Sequence, residues 1–166
     1  MPALQAAAAG VLPQLPAEER AHRLRTQTEC GHPGSDSTSG LIAYLDGEPV
    51  GWCAGEPRTA YTGLLRNNRV PWEGRDESKS DDTVWAVTCL FIRSGFRKRG
   101  ISRALARAAV GFARERGARA LEAYPINTTD VISEELHVGT ESIFSDADLA
   151  AVSRPTKRRV VMRIDF

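Results

Sequence analysis

The sequence predicts a mixed α/β (α+β) fold: a mostly antiparallel sheet flanked by helices, with one parallel strand pair at its centre. Three observations predict it. "LIAYLDGEPVGWCAG" places Asp46-Gly47 between two short β-type runs, a strong hairpin signal. "TVWAVTCLFI" (83–92) is β-branched and aromatic with almost no polar break, as in a strand buried on both faces. "ISRALARAAVGFARERG" then has a helical period and leads into a further strand, "ARALEAYPI". A strand–helix–strand crossover is right-handed and makes its two strands parallel, whereas hairpins make the remainder antiparallel. The order helix, β, β, β, helix, β, helix, β, β does not fit a doubly wound sheet.

Taken in chain order, residues 1–35 form an N-terminal tail and helix, partly disordered, and residues 36–166 form the main domain. The first thirteen residues are Ala-rich and frayed. "LPAEERAHRLRTQ" reads as a helix, with Pro16, Glu18 and Glu19 early and basic residues late, as the helix dipole prefers. "CGHPGSDSTSG" is a Gly/Ser/Pro loop; Cys30 and His32 lack partners at metal-ligand spacing, and no metal is expected. Residues 62–82, broken by Pro71 and Gly74, read as a long polar loop. On the helix after the central strand, Ile101, Leu105, Ala108 and Phe112 form one face and Arg103, Arg107 and Arg114 the other. Gly117 ends it, and Pro125 stops the following strand. "NTTDVISEELHVG" is loop-like, "TESIFSDADL" a short helix, and "AAVSRPTKRRVVMRIDF" two strands around a basic turn.

Composition bounds the function. Lys plus Arg number 22 and Asp plus Glu 21 over 166 residues, so net charge gives no case for nucleic acid or an anionic membrane. No apolar run approaches the roughly 18 residues of a membrane span, and the N-terminus has no basic leader region, so it is not expected to be a signal peptide. Three scattered cysteines, Cys30, Cys53 and Cys89, fit free thiols in a reducing cytoplasm.

The chemistry concentrates in "FRKRGISRAL" (96–105). The first turn of a helix carries N–H groups without internal partners and a partial positive charge. A buried strand running into a basic turn, a glycine and a helix start is therefore an anion site, suited to a pyrophosphate. Gly100 allows close backbone approach, while Arg97, Lys98 and Arg99 supply charge. A solvated basic helix start is the plainer reading of the same residues. GxxxxGK[ST] and GxGxxG are both absent, and no aromatic platform supports single-stranded nucleic acid.

The stretch "LFIRSGFRKRGISRALARAAVGFARERGARAL" resembles the signature segment of the GCN5-related N-acetyltransferases (GNAT), in which a central strand runs into R/Q-x-x-G-x-G/A and a long helix. "GEPVGWCAG" and "RRVVMRIDF" resemble the family as well, so the likeness spans roughly residues 40 to 166 and makes 36–166 the acetyltransferase domain. The resemblance implies that the central parallel pair is splayed for acyl-CoA. It implies that backbone groups of Leu90, Phe91 and Ile92 hold the pantetheine arm, and that the amides from Lys98 through Arg99, Gly100, Ile101 and Ser102 to Arg103 hold the pyrophosphate of acetyl-CoA. His137 falls where relatives place a cofactor-touching Asn; a surface histidine is the alternative. Ser102 departs from the usual Gly or Ala but is still small.

The implied activity is N-acetyl transfer from acetyl-CoA to a primary amine of a small molecule or peptide. Two family groups are missing. The usual central-strand base matches Ala86, and the usual Tyr acid matches Phe144; the Gly-Phe pair that usually ends the same helix reads Asp148-Leu149. These departures favour an alternative, a non-catalytic acyl-CoA sensor. Glu122, inside an apolar strand, is the candidate replacement base, against a salt-bridged or edge-exposed Glu. Ser142 donating through water and a Cys53 or Cys89 acyl relay rank lower. Trp52, Trp72 and Trp85 read as core before they read as pocket. Loops 62–82 and 127–141 are the expected acceptor walls, where Asp81, Asp82, Glu134 and Glu135 would favour a cationic amine. No N-terminal strand is legible before the first helix: either the chain lacks that edge strand, or a partner subunit, as in a homodimer, covers the sheet edge.

Overall fold

The computed structural model describes residues 38–128, 130–132 and 135–166. The expected tail, the helix at 15–27, the Cys30–His32 loop and the question of a first strand lie outside them. Gly40–Phe166 forms one compact unit.

The hairpin forms as read. Strand β1 (Gly40–Leu45) pairs antiparallel with β2 (Glu48–Pro57). Between them Asp46 and Gly47 take φ of 52° and 80°, the pattern a tight right-twisted hairpin turn needs. β2 pairs antiparallel with β3 (Val84–Ile92), and β3 pairs parallel with β4 (Ala120–Ala123). β6 (Arg159–Asp165) lies against β4 and carries β5 (Ala150–Thr156) as the far edge. The sheet order is therefore β1-β2-β3-β4-β6-β5, antiparallel apart from the one crossover pair.

Inside the expected 62–82 loop the chain forms a short helix, α1 (Thr62–Arg66). Its Leu64 packs against Tyr61, Val70, Ala86, Tyr124 and Val161, so this segment covers one face of the sheet. The opposite face carries α2 (Ile101–Glu115). The buried stripe of α2 is Leu105, Ala106, Ala109 and Ala113, whereas Ala108 is exposed, a rotation from the face expected of the sequence. Where four of the candidate positions are alanine, hydrophobicity alone sets the stripe poorly. The edge of Phe112 meets Trp85 with ring centroids 5.6 Å apart and pins the helix to β3. β3 buries Val84, Ala86, Val87 and Leu90, leaves Trp85 partly covered and loses cover at Phe91, so it is not interior on both faces throughout.

α3 (Glu141–Ser145) follows a single 3-10 turn, Glu135–Val138. Its Phe144 is completely buried against the α2 side of the sheet. The Asp148-Leu149 pair keeps that packing. Asp148 adopts φ 65°, which Asp tolerates better than most residues, and Leu149 sits in the core at 3% exposure.

Candidate functional site

The site starts where two parallel strands separate. β3 and β4 pair from Val84–Ala120 to Val87–Ala123 and no further. β4 ends there, and Ile126 bridges instead to Thr140 and Arg159. β3 continues to Ile92 beside β2 alone. Arg93 N–H donates to the Val50 carbonyl at 2.9 Å, so by the alternation of a ladder Phe91 turns its peptide groups to β2 as well. Leu90 and Ile92 must then turn theirs into the gap, an open row where an extended chain can pair like an added strand.

The gap widens into a groove of about 780 Å³. Leu90, Phe91 and Ile92 line one wall, and His137 and Thr140 the other. The start of α2 closes its end through Lys98, Gly100, Ile101, Ser102 and Arg103, with Arg97 at the rim. Gly100 holds φ 79° and ψ 0°, the left-handed conformation, and no side chain caps the helix. The first-turn amides of α2 are thus free at the groove's basic end.

The charged side chains there differ in their freedom. Arg97 Nε lies 3.4 Å from the Ile92 carbonyl. Arg99 stacks over the Phe96 ring at 5.2 Å and is the one expected cofactor residue not on the groove wall. Among the described residues no carboxylate pairs with Arg97, Lys98 or Arg99. Arg103 is tied to α3, donating to the Ser142 carbonyl at 3.1 Å and pairing with Asp146, so it offers the groove its amide rather than its charge. His137 is exposed on its 3-10 turn.

Phe144 does not reach the groove as an acid would. Its ring is fully buried and lies 2.7 Å from where a Cβ on Gly139 would stand. Phe144→Tyr is expected to lose about 1–3 kcal/mol through an unsatisfied hydroxyl, read as a shift in urea midpoint; unchanged stability would show that the position opens to solvent.

Glu122 has no exposed surface and is held on all sides. It accepts from Arg58 at 3.1 Å, Arg75 at 2.5 Å, Arg163 at 2.8 Å and the Tyr124 hydroxyl at 2.9 Å. Burial pushes its carboxyl up, but the Arg75 bond and charge, the Arg58 charge and the Tyr124 bond outweigh this and leave it below the ordinary value. A carboxylate so held is a weak proton acceptor.

The remaining candidates separate similarly. Cys53 is fully buried and burial lifts its thiol to about 12; Cys89 is also raised by burial. Neither is a ready thiolate. Trp72 is buried, has Arg58 and Lys79 over its ring, and donates to the Leu64 carbonyl at 2.9 Å. Asp81 is bonded to Thr83 and Arg119, which hold it down at about 2. Glu135 pairs with Arg158 at 3.1 Å; Asp82 borders a shallow hollow with Lys79; Glu134 lies outside the described residues. No three His, Cys, Asp or Glu side chains among the described residues form a metal-ligand set.

Sequence reasoning missed Glu56. Across the sheet, Glu56 of β2 stands opposite Ala86 of β3, which stands opposite Glu122 of β4. The central position is thus empty of a carboxylate and flanked by one on each side. That juxtaposition is a matter of register between strands distant in sequence, which no local pattern carries.

No curated protein matches the sequence. Solved structures do. A GCN5-related N-acetyltransferase from Kribbella flavida is 15% identical, with a TM-score of 0.53 over 87% of this chain and 77% of its own. The GNAT domain of S. lividans PAT is 19% identical, with a TM-score of 0.52 over 93% and 71%. An aminoglycoside acetyltransferase in complex with coenzyme A and kanamycin is 18% identical, with a TM-score of 0.50 over 76% and 65%. These likenesses agree on the fold. The sequence itself matches the Acetyltransferase (GNAT) family over residues 7–137, well over half its length. With that match beside the parted strands and the uncapped basic helix start, the chain belongs to the acetyltransferase (GNAT) family.

Proposed function

We propose that this chain is an N-acetyltransferase that moves the acetyl group of acetyl-CoA to a primary amine of a small molecule or peptide. One observation carries the reading: a free strand edge at Leu90 and Ile92 runs into a groove that ends on the free amides after Gly100. The pantetheine arm pairs with the peptide groups of Leu90 and Ile92, as a peptide adds to a sheet edge. The pyrophosphate takes the amides from Lys98 to Arg103, with Arg97, Lys98 and Arg99 supplying charge. Thioester aminolysis needs a neutral amine, an oxyanion donor and a leaving thiolate. The Leu90 N–H in the gap is the donor this reading assigns to the oxyanion. His137 lies on the wall as a further polar group for the cofactor. The two free thiols among the described residues fit a reducing cytoplasm, and no helix there is long and apolar enough to cross a membrane.

A second reading is supported by Ala86 and Phe144, neither of which can move a proton: an acyl-CoA sensor without turnover. Calorimetric titration with acetyl-CoA, and separately with its analogue lacking the 3′-phosphate, tests both. Binding of each places the pyrophosphate at the Gly100 turn, and release of CoA thiol with an amine panel then removes the sensor. Failure to bind either ligand overturns both readings.

A further inference from the structure

Three buried polar atoms that lack a hydrogen-bond partner fall within six residues: Glu56 Oε2, Arg58 Nε and Tyr61 Oη. Arg58 and Tyr61 each have 0% exposure. Buried polar groups are almost always satisfied, so such a cluster needs an explanation. The segment crosses the sheet face opposite α2. Tyr61 packs there with Ala86, Tyr124 and Val161, and its hydroxyl comes beside Thr88 without a hydrogen bond of acceptable geometry. Thr88 follows directly on Val87, the last residue of β3 that pairs with β4. Tyr61 thus lies beside the place where the strands part, and Glu56 stands opposite Ala86, one residue before the last paired position, towards which a thioester threaded along Leu90 and Ile92 would run.

We infer that Glu56 is the general base of this acetyltransferase, standing in from the neighbouring strand for the carboxylate that Ala86 lacks, with the Tyr61 hydroxyl setting its basicity. The inference rests on the acetyl-transfer reading above. Directly opposed side chains in an antiparallel pair have Cβ atoms about 4.5–5.5 Å apart, so a Glu at position 56 reaches the space above Ala86. Glu122, on the other side of Ala86, is closed off by three guanidinium groups and a phenol. Glu56 has an oxygen to spare.

Titratable and charged groups lie around Glu56 and Tyr61. Tyr61 is coupled to Glu56 electrostatically, and Cys53 and Cys89 lie near that same phenol. Arg58, two residues along, turns its terminal nitrogens to Glu122, Glu77 and the Ser78 carbonyl. Burial raises the Glu56 carboxyl above its ordinary value, the direction a base working near neutrality requires.

The proton balance closes. The acceptor enters as an ammonium, and Glu56 takes one proton. The freed lone pair attacks the thioester carbon, forming the C–N bond. As the tetrahedral species collapses, the C–S bond breaks and the remaining ammonium-like proton passes from nitrogen to sulfur, giving amide and CoA thiol. Glu56 then releases its proton to solvent.

The test compares wild type, Glu56→Gln and Tyr61→Phe, with acetyl-CoA binding by calorimetry and thiol release using benzylamine as the probe acceptor. In Glu56→Gln the expected result is unchanged acetyl-CoA affinity, kcat at neutral pH at least 100-fold lower, and loss of the acid limb of the kcat/KM profile. Tyr61→Phe moves that limb's midpoint, which a merely structural phenol would not. Unchanged kcat and acid limb in Glu56→Gln overturn the assignment. If the probe amine is not acetylated, the Glu56 carboxyl carbon is followed by NMR in the labelled full chain. Titration above the ordinary glutamate range, shifting with acetyl-CoA and with Tyr61→Phe, supports it; an ordinary titration insensitive to both overturns it. Wild type that binds no acetyl-CoA fails instead at the cofactor reading and takes the base with it.

Discussion

Glu122→Ala is expected to destabilise the fold by about 3–5 kcal/mol, the usual loss when one partner of a buried ionic network is removed. The carboxylate is the shared acceptor of Arg58, Arg75 and Arg163, whose side chains are 0%, 9% and 7% exposed. Without it, three guanidinium groups compete for Glu77, which already pairs with Arg58 at 3.2 Å and Arg163 at 3.1 Å. Tyr124, buried at 3% exposure, loses its acceptor as well. The damage is not confined to the sheet. Arg58 and Arg75 flank the covering segment, so the network fastens that segment to β4 and β6. Urea unfolding reads the loss as a lower midpoint. The pH dependence has a definite sign. The folded carboxyl lies below its ordinary value, so its contribution is complete above the unfolded-state value of about 4.3 and lost as pH falls through the folded value. The gap between wild type and Glu122→Ala is therefore full at pH 7 and shrinks below about pH 4. A gap under 1 kcal/mol at pH 7 would mean that the desolvation of these charges cancels their attraction.

This network marks where sequence reading stops. A carboxylate inside "LEAYP" signals a partner or a task, but the partners stand at positions 58, 75 and 163, and only the fold brings them together. The elements with local signals were legible. Asp46-Gly47 announced the hairpin, β-branched density announced β3, and the helical period of residues 101–115 announced α2. Alanine hid the true buried face of α2, because it is almost as acceptable in water as in a core. α1 was hidden because five residues among polar neighbours and before Pro71 carry too little pattern. The basic end of the groove was legible for the same reason as the helix: a basic turn, a glycine and a helix start are contiguous. The row Glu56–Ala86–Glu122 was not, since it is set by the register of three strands. The position matched to a family base held an alanine, and the sequence offered Glu122 in its place. The same row contained Glu56 on its other side, visible only once the three strands were aligned.

Gly100→Glu is expected to weaken acetyl-CoA binding at least 100-fold, about 2.7 kcal/mol, while leaving the protein folded. Two separate effects act at this residue. Its φ of 79° is left-handed, and any L side chain there adds about 1–2 kcal/mol of strain. The space around it is open, with no atom within 4 Å of an added Cβ, so the substitution brings no steric overlap and the fold survives. The carboxylate itself acts on binding. It would lie at the free first-turn amides of α2, where the proposed reading puts the pyrophosphate, and it would repel the incoming phosphates. Gly100→Ala separates the two effects: it carries the strain without the charge, so stability falls by about 1–2 kcal/mol and binding falls less than tenfold. Raising salt should weaken the repulsion in Gly100→Glu and narrow the difference between the two variants. Equal affinity for acetyl-CoA in wild type and Gly100→Glu would place the pyrophosphate elsewhere and leave the cluster Arg97-Lys98-Arg99 as a solvated helix start.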